Sequence, residues 1–295
     1  MTLLHQSLSA VPALVRACRP RQWIKNVLVL AAPAAAGIAL QPRAALQMLV
    51  AVVAFAVAAS GIYLVNDAVD VEADRAHATK RLRPVASGEL SVRSAWTAAL
   101  VLLPGALIIS ALLNWQLFVV VAIYEAVQLW YCLGMKHEPV IELASVASGF
   151  LLRAIAGGVA THILLSQWFL IAAGFGSLFM AAGKRYAEVR LAQETGVDIR
   201  PVLKHYTPTY LRFVWTMSAG VLVTTYALWA FAMHQATPNE WSVVSIVPFV
   251  VALLRYSVDV DSGAAGEPEE IVLHDRMLMA LGVIWAACLM ASVYL

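Results

Sequence analysis

Between Asn66 and Pro84 the chain reads NDAVDVEADRAHATKRLRP, four carboxylates followed by four cations. Asp67, Asp70 and Asp74 stand at i, i+3 and i+7. On a helix they share one face, with neighbouring Cβ atoms about 5–6 Å apart. Carboxylates that close repel one another and need a positive partner. Mg²⁺ suits them, because a hard cation takes oxygen ligands, commonly rests on one or two protein carboxylates, and completes its shell with water and substrate phosphate. Asn66 places an amide oxygen or donor beside them. A solvated helix end whose acids pair with Arg75, Lys80 and Arg81 would show the same pattern, and spacing alone does not choose between the two.

The element that carries these acids is set by composition. The chain has 295 residues, 61% of them hydrophobic and 13% charged, with a mean hydropathy of +0.77. That is far more apolar than a soluble core requires, so the protein is read as integral to a membrane. Windows of about 20 residues, the length that crosses roughly 30 Å of hydrocarbon, pick out nine segments. They lie near 23–40, 44–65, 92–113, 115–134, 139–160, 167–183, 210–234, 241–258 and 277–295. No ten-residue alternation of the kind a membrane barrel needs is present, so the expectation is all-α. It is a single transmembrane domain over 1–295, with a short N-terminal segment to about residue 22. The first apolar run is read as an uncleaved helix, since spans follow at once. Cys18, Cys132 and Cys288 have no pairing or metal spacing, and the histidines show none either.

Charge gives the orientation. If the N-terminus and the loops after the second, fourth, sixth and eighth segments share a side, that side receives eighteen Lys and Arg residues and the other receives only Arg43. By the positive-inside rule the crowded side is cytoplasmic, in an inner (plasma) membrane. Inside the fifth span Glu142, Ser145, Gly149, Arg153 and Gly157 form one polar and small face. An Arg at mid-span costs about 2.5–3.5 kcal/mol on insertion scales, so Arg153 should face the bundle interior. It is either a helix–helix hydrogen-bond hub or a ligand contact. In the last cytoplasmic loop Asp259 and Asp261 are candidate ligand contacts, whereas Glu267, Glu269 and Glu270 beside Pro268 read as a solvated turn.

The pattern NDxxDxxxD at the cytoplasmic end of a second helix resembles the first aspartate-rich motif of the UbiA superfamily of intramembrane prenyltransferases. RPRQWIKN at Arg19–Asn26, YCLGMK at Tyr131–Lys136 and GFLLRAIAGG at Gly149–Gly158 extend the resemblance over nearly the whole chain. It implies a nine-helix bundle with a central cavity open to the cytoplasm, in which Asp67, Asp70 and Asp74 hold Mg²⁺ and activate a diphosphate. A second aspartate-rich motif after the sixth helix is usual in the family. Here that place reads GKRYAEVR, with Glu188 its only acid and Lys184 and Arg185 beside it.

Added cations suit a site that handles two phosphorylated substrates. The chain is therefore most similar to the actinobacterial branch that uses phosphoribosyl pyrophosphate as donor and a polyprenyl (decaprenyl) phosphate as acceptor, and supplies cell-wall arabinan precursors. That resemblance implies leaving-group stabilisation at Asn66, Asp67, Asp70 and Asp74. It implies substrate contacts at Lys25, Lys80, Arg81, Arg83, Tyr131, Lys136, Arg153, Lys184, Arg185, Glu188, Asp259 and Asp261. The lipid phosphate is already an anionic nucleophile, so no Ser, Cys or His activation is needed. Nucleic acid is not an expected partner, and assembly into a homo-oligomer is left open. Two other readings remain at this point. One is prenyl transfer onto an aromatic or quinone head group; the other is a transporter, which would place functional charge at mid-membrane, where only Arg153 and Glu125 lie.

Overall fold

The computed structural model describes residues 12–77, 79–195, 201–236, 239–262 and 274–294, and these are almost wholly helical. A short helix α1 (Ala13–Ala17) leads into a 3₁₀ segment, Pro20–Leu30, and α2 (Ala31–Ala35). Then come α3 (Pro42–Val69), α4 (Val71–Ala76), α5 (Val92–Leu113), α6 (Trp115–Leu133), α7 (Ile141–Ala160) and α8 (Gln167–Thr195). The chain closes with α9 (Pro208–Ala236), α10 (Trp241–Val244), α11 (Ile246–Asp261) and α12 (Arg276–Tyr294).

Among the described residues seven helices are long and apolar enough to cross a membrane: α3, α5, α6, α7, α9, the stretch Trp241–Asp261, and α12. Nine were expected, and the two that differ have separate causes. The segment expected near 23–40 is a 3₁₀ helix over Pro20–Leu30 and an α-helix only over Ala31–Ala35, so no continuous α-helix of spanning length forms there. The segment near 167–183 is the first part of α8, whose second half carries Lys184, Arg185, Glu188, Arg190 and Glu194.

Burial sorts the spans into inner and outer. The apolar windows of α3 and α7 are 61% and 56% buried, whereas those of α5 and α12 are 17% buried. One core cluster gathers around α3, α5 and α6 and takes Ala156 and Ala160 from the far half of α7. The other gathers around α8, α9 and α11 and takes Leu143 and Ala147 from the near half of α7. Helix α7 thus belongs to both.

Close approach rather than bulk holds the inner helices, as expected where lipid is as apolar as leucine. A Cβ on Gly157 would lie 1.8 Å from the Val29 carbonyl oxygen, and one on Gly61 would lie 2.7 Å from Leu103. Polar contacts fix the two ends of the bundle. At one end Asn114 Nδ2 donates to the Val159 carbonyl (3.2 Å) and Asn239 Nδ2 to the Ser292 carbonyl (3.1 Å). The motif residues gather at the other.

Candidate active site

Helix α3 ends at Val69, but the turn continues. The Asp70 amide bonds the Asn66 carbonyl (2.9 Å) and the Asp74 amide bonds the Asp70 carbonyl (2.8 Å), with Asp70 itself at φ −90°, ψ 7°. This slight break corrects the picture of three acids on one uninterrupted face. Asp67 and Asp74 share Arg83, whereas Asp70 pairs separately with Lys136. Asp67 is 1% exposed and Asp74 3% exposed, so Asp74 is carried inward and not towards solvent.

Each carboxylate meets a cation from elsewhere in the chain. Asp67 Oδ1 accepts from Arg19 and from Arg83 Nη1 (3.3 Å), and the same Nη1 donates to Asp74 Oδ2 at 2.6 Å. Asp70 accepts from Lys136 Nζ. Arg75, by contrast, pairs with the exposed Glu72 at 2.8 Å. Arg19 holds a left-handed backbone (φ 53°) and stacks its guanidinium 4.7 Å over the Tyr63 ring. The Asn66 amide oxygen accepts from Cys132 Sγ (3.7 Å).

The donor set fits a hard divalent cation. Asp67 and Asp74 offer oxygen ligands aimed at one spot, and a cationic nitrogen already sits there. Among the described residues no three His, Cys, Asp or Glu side chains form a group that could hold a metal. An ion here would therefore rest on one or two carboxylates and take its remaining ligands from water and substrate, which is the habit of Mg²⁺.

A second charged cluster lies at the start of α7. Arg185, 4% exposed, donates through Nη2 and Nε (2.8 Å) to Oε1 of the fully buried Glu142, and through Nη1 to Glu188 (2.8 Å). Arg185 is thus an interior residue, held between two carboxylates. Among the described residues Glu142 Oε2 has no hydrogen-bond partner.

The helix start that presents Glu142 is strained. Val140 has φ 67°, ψ −48°, and the Ile141 amide bonds the Pro139 carbonyl (2.8 Å), a γ-turn at a β-branched residue. Such a conformation costs on the order of 1–3 kcal/mol and persists where its surroundings enforce it. The enforcing group is the Tyr206 hydroxyl, which accepts the Val140 amide at 2.7 Å. Burial holds the Tyr206 phenol above its usual pKa range, so it stays a neutral hydroxyl.

The connection 131–142 joins the two clusters. Tyr131 lies within electrostatic reach of Arg185, and the 3₁₀ turn Met135–His137, which carries Lys136, packs against both α6 and the turn Pro201–His205. Of the other candidates, Lys80 and Arg81 sit on the 3₁₀ turn Lys80–Leu82 just before Arg83. Lys184 is half-buried beside Arg185. Lys25 lies 5.8 Å from the Phe150 ring centre.

Arg153 is brought to a different place. It donates to Asn26 Oδ1 (2.7 Å), the Gly149 carbonyl (2.6 Å) and the Tyr124 hydroxyl (3.1 Å), and it packs over the Phe55 and Tyr124 rings. That is the hub arrangement. Asp261 accepts from Tyr186 (2.7 Å) and Arg212 (3.3 Å), so it joins the α8–α9 side and not the Asp67 cluster. Asp259, on the same helix, keeps Oδ2 buried without a hydrogen-bond partner. Glu267, Glu269 and Glu270 lie outside the described residues. Arg19 and Glu142 were not singled out as site residues from sequence. Arg19 opens RPRQWIKN and Glu142 shares the spaced face of α7, and those were their only signals.

Comparison with known proteins places the chain among relatives. A decaprenyl-phosphate phosphoribosyltransferase of Mycolicibacterium smegmatis is 53% identical over 96% of this chain and 93% of its own. The protein of the same name from Mycobacterium tuberculosis is 53% identical over 96% and 95%. The fold matches that of a UbiA homologue from Archaeoglobus fulgidus bound to GPP and Mg²⁺, with a TM-score of 0.67 at 20% identity, covering 96% of this chain and all of that one. The model of the UbiA prenyltransferase family matches residues 27–291, a stretch that takes in the Asp67–Asp74 carboxylates, the Lys136 turn and the Arg185 cluster, and the chain belongs to that family.

Proposed function

We propose that this protein transfers the 5-phosphoribosyl group from phosphoribosyl pyrophosphate to decaprenyl phosphate, releasing pyrophosphate at the cytoplasmic face of the plasma membrane. The observation that carries this reading is the 53% identity, across 96% of the chain, to enzymes named for that reaction. Arg19, Arg83, Lys136 and Arg185 gather at one end of the bundle, each already paired with a carboxylate.

An oxygen of the lipid phosphate attacks ribose C1, and the bond from C1 to the pyrophosphate oxygen breaks with its electron pair leaving on pyrophosphate. Attack opposite the leaving group inverts the anomeric centre. Asp67 and Asp74, with Asp70 beside them, would hold Mg²⁺, which supplies charge neutralisation to the departing pyrophosphate. Arg83, Lys80 and Arg81 hold phosphate oxygens, with Arg suited to bidentate contact. Lys136 and Tyr131 line the same mouth, and the buried Glu142–Arg185 pair braces the start of α7 near Tyr131. Placement and preorganised charge are the protein's contributions, since the nucleophile needs no activation. A cytoplasm-facing cavity between the two halves of the bundle belongs to this reading.

Purified protein incubated with phosphoribosyl pyrophosphate, Mg²⁺ and decaprenyl phosphate should yield lipid-linked phosphoribose. No such product, with prenylated aromatic formed from a prenyl diphosphate in a parallel incubation, would overturn the assignment.

A further inference from the structure

One nitrogen of Arg83 bridges the two buried carboxylates, 3.3 Å from Asp67 Oδ1 and 2.6 Å from Asp74 Oδ2. Arg19 reaches Asp67 and Lys136 reaches Asp70, so the bridge belongs to Arg83. A divalent ion shared by Asp67 and Asp74 would need that same point, and two cations cannot occupy it together. The two arginines differ in how they are tethered. Arg19 is fixed by its left-handed backbone next to Pro20 and by the Tyr63 ring. Arg83 follows an outward-facing turn in which Leu82 is 65% exposed; the two side chains themselves are alike in exposure, 27% for Arg19 and 25% for Arg83.

We infer that Arg83 is the resident counter-ion of the Asp67–Asp74 pair and is exchanged for the metal–diphosphate complex. The guanidinium passes from the carboxylates to the phosphate oxygens as the complex arrives. Charge is matched at both stages: carboxylates with guanidinium before, carboxylates with metal and guanidinium with phosphate after. A metal ion alone displaces Arg83 without offering it a new anion. A metal ion with a diphosphate does offer one, so the two bind with positive linkage through this side chain. The exchange rests on the metal-dependent reading above.

The test measures Mn²⁺ binding to the purified full-length protein by calorimetry, with and without inorganic pyrophosphate and with no turnover. Arg83→Gln should bind Mn²⁺ alone about tenfold more tightly than wild type, since a charge-assisted competitor is removed. The extra tightening given by pyrophosphate should shrink in the same variant. Equal or weaker Mn²⁺ binding by Arg83→Gln would overturn the exchange. Because that variant leaves buried acids short of a partner, wild-type amide hydrogen exchange provides a second measurement. The Arg83 amide bonds the Lys80 carbonyl (2.9 Å) and the Ser87 amide bonds the Arg83 carbonyl (2.8 Å). Their exchange should change when Mg²⁺ and pyrophosphate are added, and unchanged exchange in protein shown calorimetrically to be loaded also counts against the inference. No Mn²⁺ binding by either protein, even with pyrophosphate, would remove the metal reading itself.

Discussion

Single side chains at the charged end of the bundle do two kinds of work, and substitution separates them. Asp67→Ala and Asp70→Ala should each lose nearly all turnover while the protein still inserts. Activity near wild type in either, with Mg²⁺ chelated, would end the metal role. Arg185→Ala is a different case, because it strands Glu142 with no exposed surface. Removing one partner of a buried ion pair costs about 3–5 kcal/mol, so this variant should lose thermal stability along with activity. Adding Glu142→Gln should restore more than half of the stability. An Arg185→Ala protein as stable as wild type would show that the pair is not buried as described. Lys184→Ala should leave stability unchanged and lower kcat/KM roughly ten- to hundredfold if Lys184 holds a substrate phosphate, the equivalent of one charge-assisted hydrogen bond.

At the scale of elements, the site is held in register by helix α7. Its first turn carries Glu142, its middle carries Arg153, and Gly157 lets the backbone of the Pro20–Leu30 segment press against it. That contact positions Arg19, which lies one residue before the segment and reaches Asp67. Gly157→Ala would drive a methyl group into the Val29 carbonyl, and overpacking of this kind typically costs about 1–3 kcal/mol. The melting temperature should fall and turnover should fall with it. Gly282→Ala on α12 is the control, since a Cβ there meets nothing within 4 Å. It should be neutral or stabilising by about 0.5–1 kcal/mol, the helix penalty of glycine. Equal melting temperatures for the two variants would argue against the close contact.

For the whole molecule, the separation of charge along the membrane normal predicts sidedness. Single cysteines at Ser87 and His205, on a background lacking Cys18, Cys132 and Cys288, should react with an impermeant thiol reagent only after the cytoplasmic face is opened. Both positions are exposed. Labelling of intact cells would invert the orientation and part the site from its cytosolic donor.

The sequence alone determined the membrane setting, the helical class, and seven spans to within a few residues, because a 20-residue apolar run is a property of the chain that no tertiary contact needs to supply. The aspartate spacing was legible for the same reason, since helical periodicity is local. What only the tertiary structure decided is which cation meets which acid. Asp67 finds Arg19 across 48 residues and Asp70 finds Lys136 across 66, while the nearer Arg75 pairs with Glu72. Arg185 reads as a substrate contact in GKRYAEVR; that it is buried against Glu142, 43 residues away, follows only from the packing of α8 on α7. The first expected span became a 3₁₀ segment packed on α7, where Asn26 meets Arg153 and Val29 meets Gly157. Burial and long-range pairing depend on which helices adjoin, and hydropathy within one segment carries no record of its neighbours.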